Sequence, residues 1–188
     1  MNVEVREADE QDLAWVVALA EQCVVFGIPA GRPLSDGEVR ENARRNLATL
    51  PAAALENPAV KVLVAFDAET GERLGYLILT LDERDALTGT PQSFIYDLAV
   101  DPRHWGRYVV HRLVRRAAQV TAEHGLSFMV GEVTVDNERT LVQARRLGFQ
   151  VESYRMAGAC GPEGLGPLPG RGAESAYERS RRRGGRTS

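Results

Sequence analysis

Residues 94–113, FIYDLAVDPRHWGRYVVHRL, concentrate the residue types that could do chemistry. A β-rich run ends at Val100, an Asp-Pro turn follows, and Gly106 stands at the mouth of a long helical pattern. This order puts unpaired backbone N–H groups and the positive end of a helix dipole at one spot, which suits a phosphate. Gly106 lets the backbone approach a ligand closely because no Cβ intervenes. Two carboxylates lie on strand-like runs near this segment: Asp97, three residues before Val100, and Glu132, five residues before Asn137. Glu132 is the first candidate for a base, accepting a proton directly or through water if partial burial raises its pKa, and Asp97 is the candidate for substrate recognition rather than catalysis. Each also has a plainer reading: Glu132 on a solvated strand face, Asp97 pointing to solvent or paired with an arginine.

The elements that must hold these residues follow from periodicity and punctuation. Val3–Arg6 reads as a strand, and Asp9 or Asp12 can cap the helix that places Leu13, Val16, Val17, Ala20 and Val24 on one face. Ser35 can cap a second helix running to about Leu50, where Pro51 ends it. Lys61–Asp67 and Leu74–Leu81 form a hairpin around Gly71, and the polar stretch Asp82–Gln92 reads as a loop. Ser93–Val100 is the next strand, followed by the Gly106 helix to about His124, a strand over Ser127–Val135, a helix over Asn137–Leu147, and a last strand or hairpin over Phe149–Met156. The order β-α-α-β-β-β-α-β-α-β predicts an α/β fold, an α+β arrangement on a mixed sheet. One domain over residues 1–157 and a Gly/Pro/Arg-rich disordered tail over 158–188 are expected.

Composition narrows the classes. The 188 residues are 44% hydrophobic and 26% charged, with no run approaching a membrane span and no apolar centre of a signal peptide near the N-terminus. A cytoplasmic protein with no membrane partner is expected. Cys23 and Cys160 make no disulfide framework. His104, His111 and His124 are not grouped with other ligands, so no metal site is expected. The net charge of −3 hides an asymmetry: six arginines face three glutamates from Gly158 onward, leaving −6 on the rest. An acidic body disfavours nucleic acid and favours cationic acceptors such as amines. The Arg181–Arg183 run could touch RNA or an acidic surface, but such runs are more often solvated ends.

Three segments together resemble the GNAT superfamily of acetyl-CoA-dependent N-acetyltransferases across residues 1–157. They are VREADEQDL, LAVDPRHWGR, and VDNERTLVQARRLGF with its Asn137, Gly148 and Phe149. The resemblance implies the GNAT acyl-CoA N-acyltransferase fold, acetyl-CoA as cosubstrate, and a primary amine of a small molecule or peptide as acceptor, attacking directly in a ternary complex. Backbone groups of Leu98, Ala99 and Val100 would meet the pantetheine arm. Amides from Gly106 through Arg107, Tyr108, Val109, Val110 and His111 would hold the pyrophosphate. Glu132 matches the catalytic glutamate of ribosomal-protein N-terminal acetyltransferases, and Asp97 stands where polyamine-type members carry an acid that meets the amine. Asn137 either contacts the cofactor or caps the following helix.

The sequence departs from the family pattern at three stations. Tyr108 and Val110 stand where small residues are usual, and Ala144 where many members carry a tyrosine that protonates the leaving thiolate. Tyr108, Tyr154 or solvent could substitute for that acid. A second reading from another class follows from these departures: a catalytically degenerate GNAT-fold binding or regulatory module with weak or no CoA binding. Folds of this kind often dimerise, so a homodimer is compatible with the resemblance. Trp105 is expected to pack beside the loop, and His104 to lie exposed on it.

Overall fold

The computed structural model describes residues 1–29, 31–32, 34–49, 53–54, 56–161 and 164–166. Five strands form one sheet in the order β1-β2-β3-β4-β5: β1 (Val3–Glu7), β2 (Val60–Asp67), β3 (Arg73–Arg84), β4 (Pro91–Val100) and β5 (Met129–Gly131). The first four pair antiparallel, and β5 joins β4 in parallel. The helices are α1 (Glu10–Cys23), α2 (Asp36–Leu47), α3 (Val109–Glu123) and α4 (Glu138–Arg146). This is the mixed α/β fold that the element order predicts.

The chain divides into two compact units, one of residues 1–23 and 41–132, the other of 24–40 and 133–188. In the first unit, α1 caps itself through Asp9, whose Oδ1 accepts from the amides of Gln11 and Asp12. Its apolar stripe (Leu13, Val16, Leu19, Ala20) and Leu47 of α2 pack with Val62, Val64, Tyr76, Ile78 and Ala99. Helix α3 packs against β1, β2, β3 and β4 and buries Val109, Leu113, Ala117 and Val120. Its far end is pinned where the hydroxyls of Ser93 and Thr121 lie 2.7 Å apart. Asp12 is fully buried between Arg6 and Arg73, with Arg73 Nε donating to its Oδ1 at 2.6 Å. Burial pushes its carboxyl up, but the Arg6 hydrogen bond, the Asp9 amide and Arg73 together pull it below the usual carboxylate range.

In the second unit a capping box starts α2: Glu38 N–H donates to Ser35 Oγ, and Ser35 N–H to Glu38 Oε2 at 2.8 Å. Beyond α4, a short hairpin pairs Ala159–Gly161 with Gly164–Gly166.

Several expected boundaries move. The hairpin strand β3 runs on to Arg84, so the expected 82–92 loop shrinks to the turn around Asp85, whose carboxylate accepts from the amides of Leu87 and Thr88. The expected strand over Ser127–Val135 shortens to Met129–Gly131. No strand forms over Phe149–Met156: alternation is present, but Val151, Tyr154 and Met156 are exposed, so neither face is buried and period two has nothing to select it. Most of the expected disordered tail, residues 162–163 and 167–188, lies outside the described residues.

Candidate active site

Where β4 meets β3, Ile78 stands opposite Asp97 while Leu79 stands opposite Ile95, leaving Tyr96 as an extra residue in a bulge. On the other side of β4, the parallel ladder with β5 covers only Ser93 to Ile95 against Met129 to Gly131. The two strands therefore part at the bulge, and the second half of β4 borders a wedge. Asp101 N–H donates to Leu74 O of β3, so by alternation Leu98 and Val100 turn their backbone groups to the wedge side. Their partners agree: Leu98 N–H donates to Asp97 Oδ1 at 2.9 Å, and Val100 O accepts from Trp105 Nε1 at 2.8 Å. Gly75 permits the close approach of β3 here, since a Cβ would lie 2.8 Å from Ala99 O.

Asp97 shares the sheet face of Tyr76 and Ile78 and is half-buried. The Tyr76 hydroxyl donates to Asp97 Oδ2 at 2.6 Å. Burial pushes the Asp97 carboxyl above the usual carboxylate range, against the opposing pull of that hydroxyl and the Leu98 amide. The Tyr76 phenol is driven far up by burial, then by the charge of Asp97 and the bond to it, so it stays protonated. Among the described residues no arginine, lysine or histidine forms an ion pair with Asp97. Of the two plain readings for Asp97, neither pairing with arginine nor full exposure is found. Glu132 lies one residue past β5 and is exposed.

The loop between β4 and α3 is held from outside. Arg103 donates through Nε and Nη2 to Asp101 and lies 3.4 Å from Glu72, and His104 Nε2 lies 3.2 Å from the same Glu72 carboxylate. The Arg103 guanidinium holds the Asp101 carboxyl below its usual range. His104, expected exposed, is buried, with its Nε2 against the Glu72 carboxylate and its backbone N–H donating to Asp101 O. Gly106 follows with φ of 85°, then Tyr108 with φ of 61° as the residue capping α3.

That left-handed backbone explains why a small residue is usual at the second station: glycine adopts it without strain. Tyr108 adopts it anyway and turns its ring outward, 78% exposed, edge-on to His111 at 6.3 Å. The first helical bond runs from Arg112 N–H to Tyr108 O. The amides of Val109, Val110 and His111 thus precede the helical ladder and have no partner within it. Beside them a cavity of about 540 Å³ is lined by Arg107, Tyr108, His111, Arg112 and Arg115 against Met1 and Val3.

The remaining expected site residues lie in the second unit. Asn137 caps α4, its Oδ1 accepting from Thr140 N–H at 3.2 Å, a role compatible with the cofactor contact also expected of it. Tyr154 is exposed, and Ala144 lies on α4. Sequence reasoning missed Tyr76 and the indole bond of Trp105. A tyrosine inside the aliphatic run LGYLILTL carries a hydroxyl that must find a partner, and that signal was available.

A mixed sheet split between its fourth and fifth strands, with a helix that begins in an unpaired-amide turn, is the architecture of an acyltransferase. Residues 32–149 match the acetyltransferase (GNAT) family, and the chain belongs to that family. It is similar in fold to an acetyl transferase described as putative from Pyrococcus furiosus, with a TM-score of 0.67 and 20% identity over 83% of this chain and 98% of that one. It is similar to an acetyltransferase from Trypanosoma brucei, with a TM-score of 0.57 and 21% identity over 83% and 98%. A third likeness is to AAC(6')-Iy in complex with a bisubstrate analogue, CoA-S-monomethyl-acetylneamine, with a TM-score of 0.57 and 16% identity over 84% and 99%. No curated protein matches the sequence. Among the described residues no helix is long and apolar enough to cross a membrane, and no cluster of three or more His, Cys, Asp or Glu is placed to hold a metal.

Proposed function

We propose that this protein is an N-acetyltransferase that moves the acetyl group of acetyl-CoA to a primary amine of a small molecule or peptide, by direct attack in a ternary complex. The observation that carries the reading is Asp97: a half-buried carboxylate at the parting of β4 and β5, raised in pKa and without a cationic partner among the described residues. An amine arriving as its ammonium ion supplies that missing charge, and the carboxylate then takes its proton so that the lone pair is free to attack.

Acetyl-CoA supplies the activated thioester. The donor set fits its pyrophosphate: amides from Gly106 to His111 precede or open α3, and a Cβ at Gly106 would meet nothing within 4 Å. Arg107, Arg112 and Arg115 add positive charge. Leu98 and Val100 offer the strand edge to the pantetheine arm, with the Val100 carbonyl already engaged by Trp105, whereas Ala99, expected to join them, turns its backbone groups to β3. The outward ring of Tyr108 leaves its backbone N–H available, which weighs against the degenerate-module reading.

Glu132, at the exposed end of β5, is assigned to the rim of the same wedge, where it steers the cationic amine or relays its proton through water. Asn137 serves as the α4 cap in this reading. Solvent protonates the departing thiolate, because Ala144 offers no acid; a coenzyme A thiolate is a tolerable leaving group. The acetyltransferase domain comprises residues 1–157, acting in the cytoplasm, and residues 158–188 are a dispensable tail. The aminoglycoside-derived analogue bound by AAC(6')-Iy makes polyamine-like acceptors a sensible first set.

Calorimetric titration with acetyl-CoA tests the reading. A micromolar Kd, about −8 kcal/mol, is expected, followed by amine-dependent thiol release with an aminoglycoside, polyamine and peptide panel. Absence of binding at millimolar acetyl-CoA would refute it.

A further inference from the structure

The buried phenol beside Asp97 has a role of its own. Resting on the reading of Asp97 as proton acceptor, we infer that Tyr76 is a positioning residue for the transfer: its hydroxyl fixes the Asp97 carboxylate at the mouth of the β4–β5 wedge.

Tyr76 is wholly buried on β3 among the aliphatic residues of the α1-side core, and its hydroxyl is the one polar atom its side chain brings there. A buried hydroxyl without a partner costs about 1–3 kcal/mol, so the 2.6 Å bond to Asp97 Oδ2 holds the ring and the carboxylate together. Oδ1 is held from a different direction by the Leu98 amide at 2.9 Å. With one donor on each oxygen the carboxyl group has a single orientation, while an ionised carboxylate keeps further lone-pair positions for an incoming N–H. The phenol cannot compete for the proton, because its own ionisation is pushed far out of reach. It remains a donor throughout.

After burial, this bond is the largest influence on the carboxylate. From β3, Tyr76 faces it. From α1, the Cys23 thiol approaches, with Sγ 3.9 Å from Val100 O and near enough to act on the Tyr76 phenol. From β4 itself comes the Leu98 amide. Burial disfavours the charged carboxylate, and the two hydrogen bonds favour it. Removing the hydroxyl therefore raises the pH at which Asp97 ionises and frees the carboxyl to rotate.

The test is Tyr76→Phe, which keeps the ring and deletes the donor. In protein carrying ¹³C-labelled aspartate, the Asp97 Cγ resonance, assigned by its loss in Asp97→Asn, is followed against pH. The midpoint is expected to rise by about one unit, with the acid limb of the acetyl-transfer rate moving up by the same amount. An unmoved midpoint in a folded Tyr76→Phe protein overturns the inference. Should that variant not fold, the native protein answers instead: the Tyr76 Cζ resonance must shift with the same midpoint as Asp97, and a flat response there overturns the inference too. The two failures separate cleanly. Wild-type transfer in Asp97→Asn sinks the proton-acceptor reading, whereas loss of transfer in Asp97→Asn beside unchanged kcat and midpoint in Tyr76→Phe sinks only the positioning role.

Discussion

At the scale of single residues, Asp97 and Glu132 divide the chemistry by environment. One carboxylate is half-buried between two donors, the other exposed one residue past β5. Asp97→Asn is expected to lower kcat by about 100-fold or more, and Glu132→Gln to act mainly on the apparent Michaelis constant of the amine; steady-state kinetics on both variants separates the roles. The pH dependence follows from the sign of the shift. A raised pKa leaves Asp97 protonated over a range where an ordinary carboxylate is ionised, so the rate falls as pH drops through a value above 3.8. The same shift contributes stability below 3.8 that is lost as pH rises through the folded value. Asp97→Asn is therefore expected not to lower the melting temperature at pH 7, even as activity falls. A large loss of stability in that variant would return Asp97 to a structural role.

At the scale of elements, the loop before α3 shows how a family preference turns into geometry. Tyr108 occupies a station where a small residue is usual, and in sequence the break suggests a blocked site. The backbone shows a different cost: φ of 61° in a residue with a Cβ, worth about 1 kcal/mol, with the ring exposed and edge-on to His111. Tyr108→Gly is expected to leave acetyl-CoA affinity within about threefold, the effect of a few tenths of a kcal/mol. Gly106→Ala, at φ of 85°, is expected to cost about 1–2 kcal/mol of stability and to weaken binding; thermal melts and calorimetry check both.

The glycine loop, the hairpin and the Ser35 cap were legible in sequence because each rests on local chemistry. The wedge was not: a bulge at Tyr96 and a ladder that stops at Ile95 are set by pairing between distant strands. The Tyr76–Asp97 bond spans 21 residues and depends on that same register. The strand expected over Phe149–Met156 failed for the converse reason, since local alternation existed there without a face to bury.

At the scale of the whole molecule, the sheet and α1 are tied by one buried charge. Asp12 bridges Arg6 of β1 and Arg73 of β3, and its depressed pKa contributes stability that is full above 3.8 and lost as pH falls through the lower folded value. Asp12→Asn should cost about 2 kcal/mol, read as a lower denaturation midpoint at pH 7 that converges with the native protein in acid. Ending the chain at Ala157 should leave acetyl-CoA affinity unchanged, as the domain assignment requires.

The central claim is that the parting of β4 and β5, with the loop before α3, is the acetyl-CoA site. Titrating acetyl-CoA into ¹⁵N-labelled protein tests it most directly. Saturable amide shifts concentrated at Leu98, Val100 and Gly106 to His111 are expected. Saturable shifts confined elsewhere, or none at millimolar ligand, would contradict it.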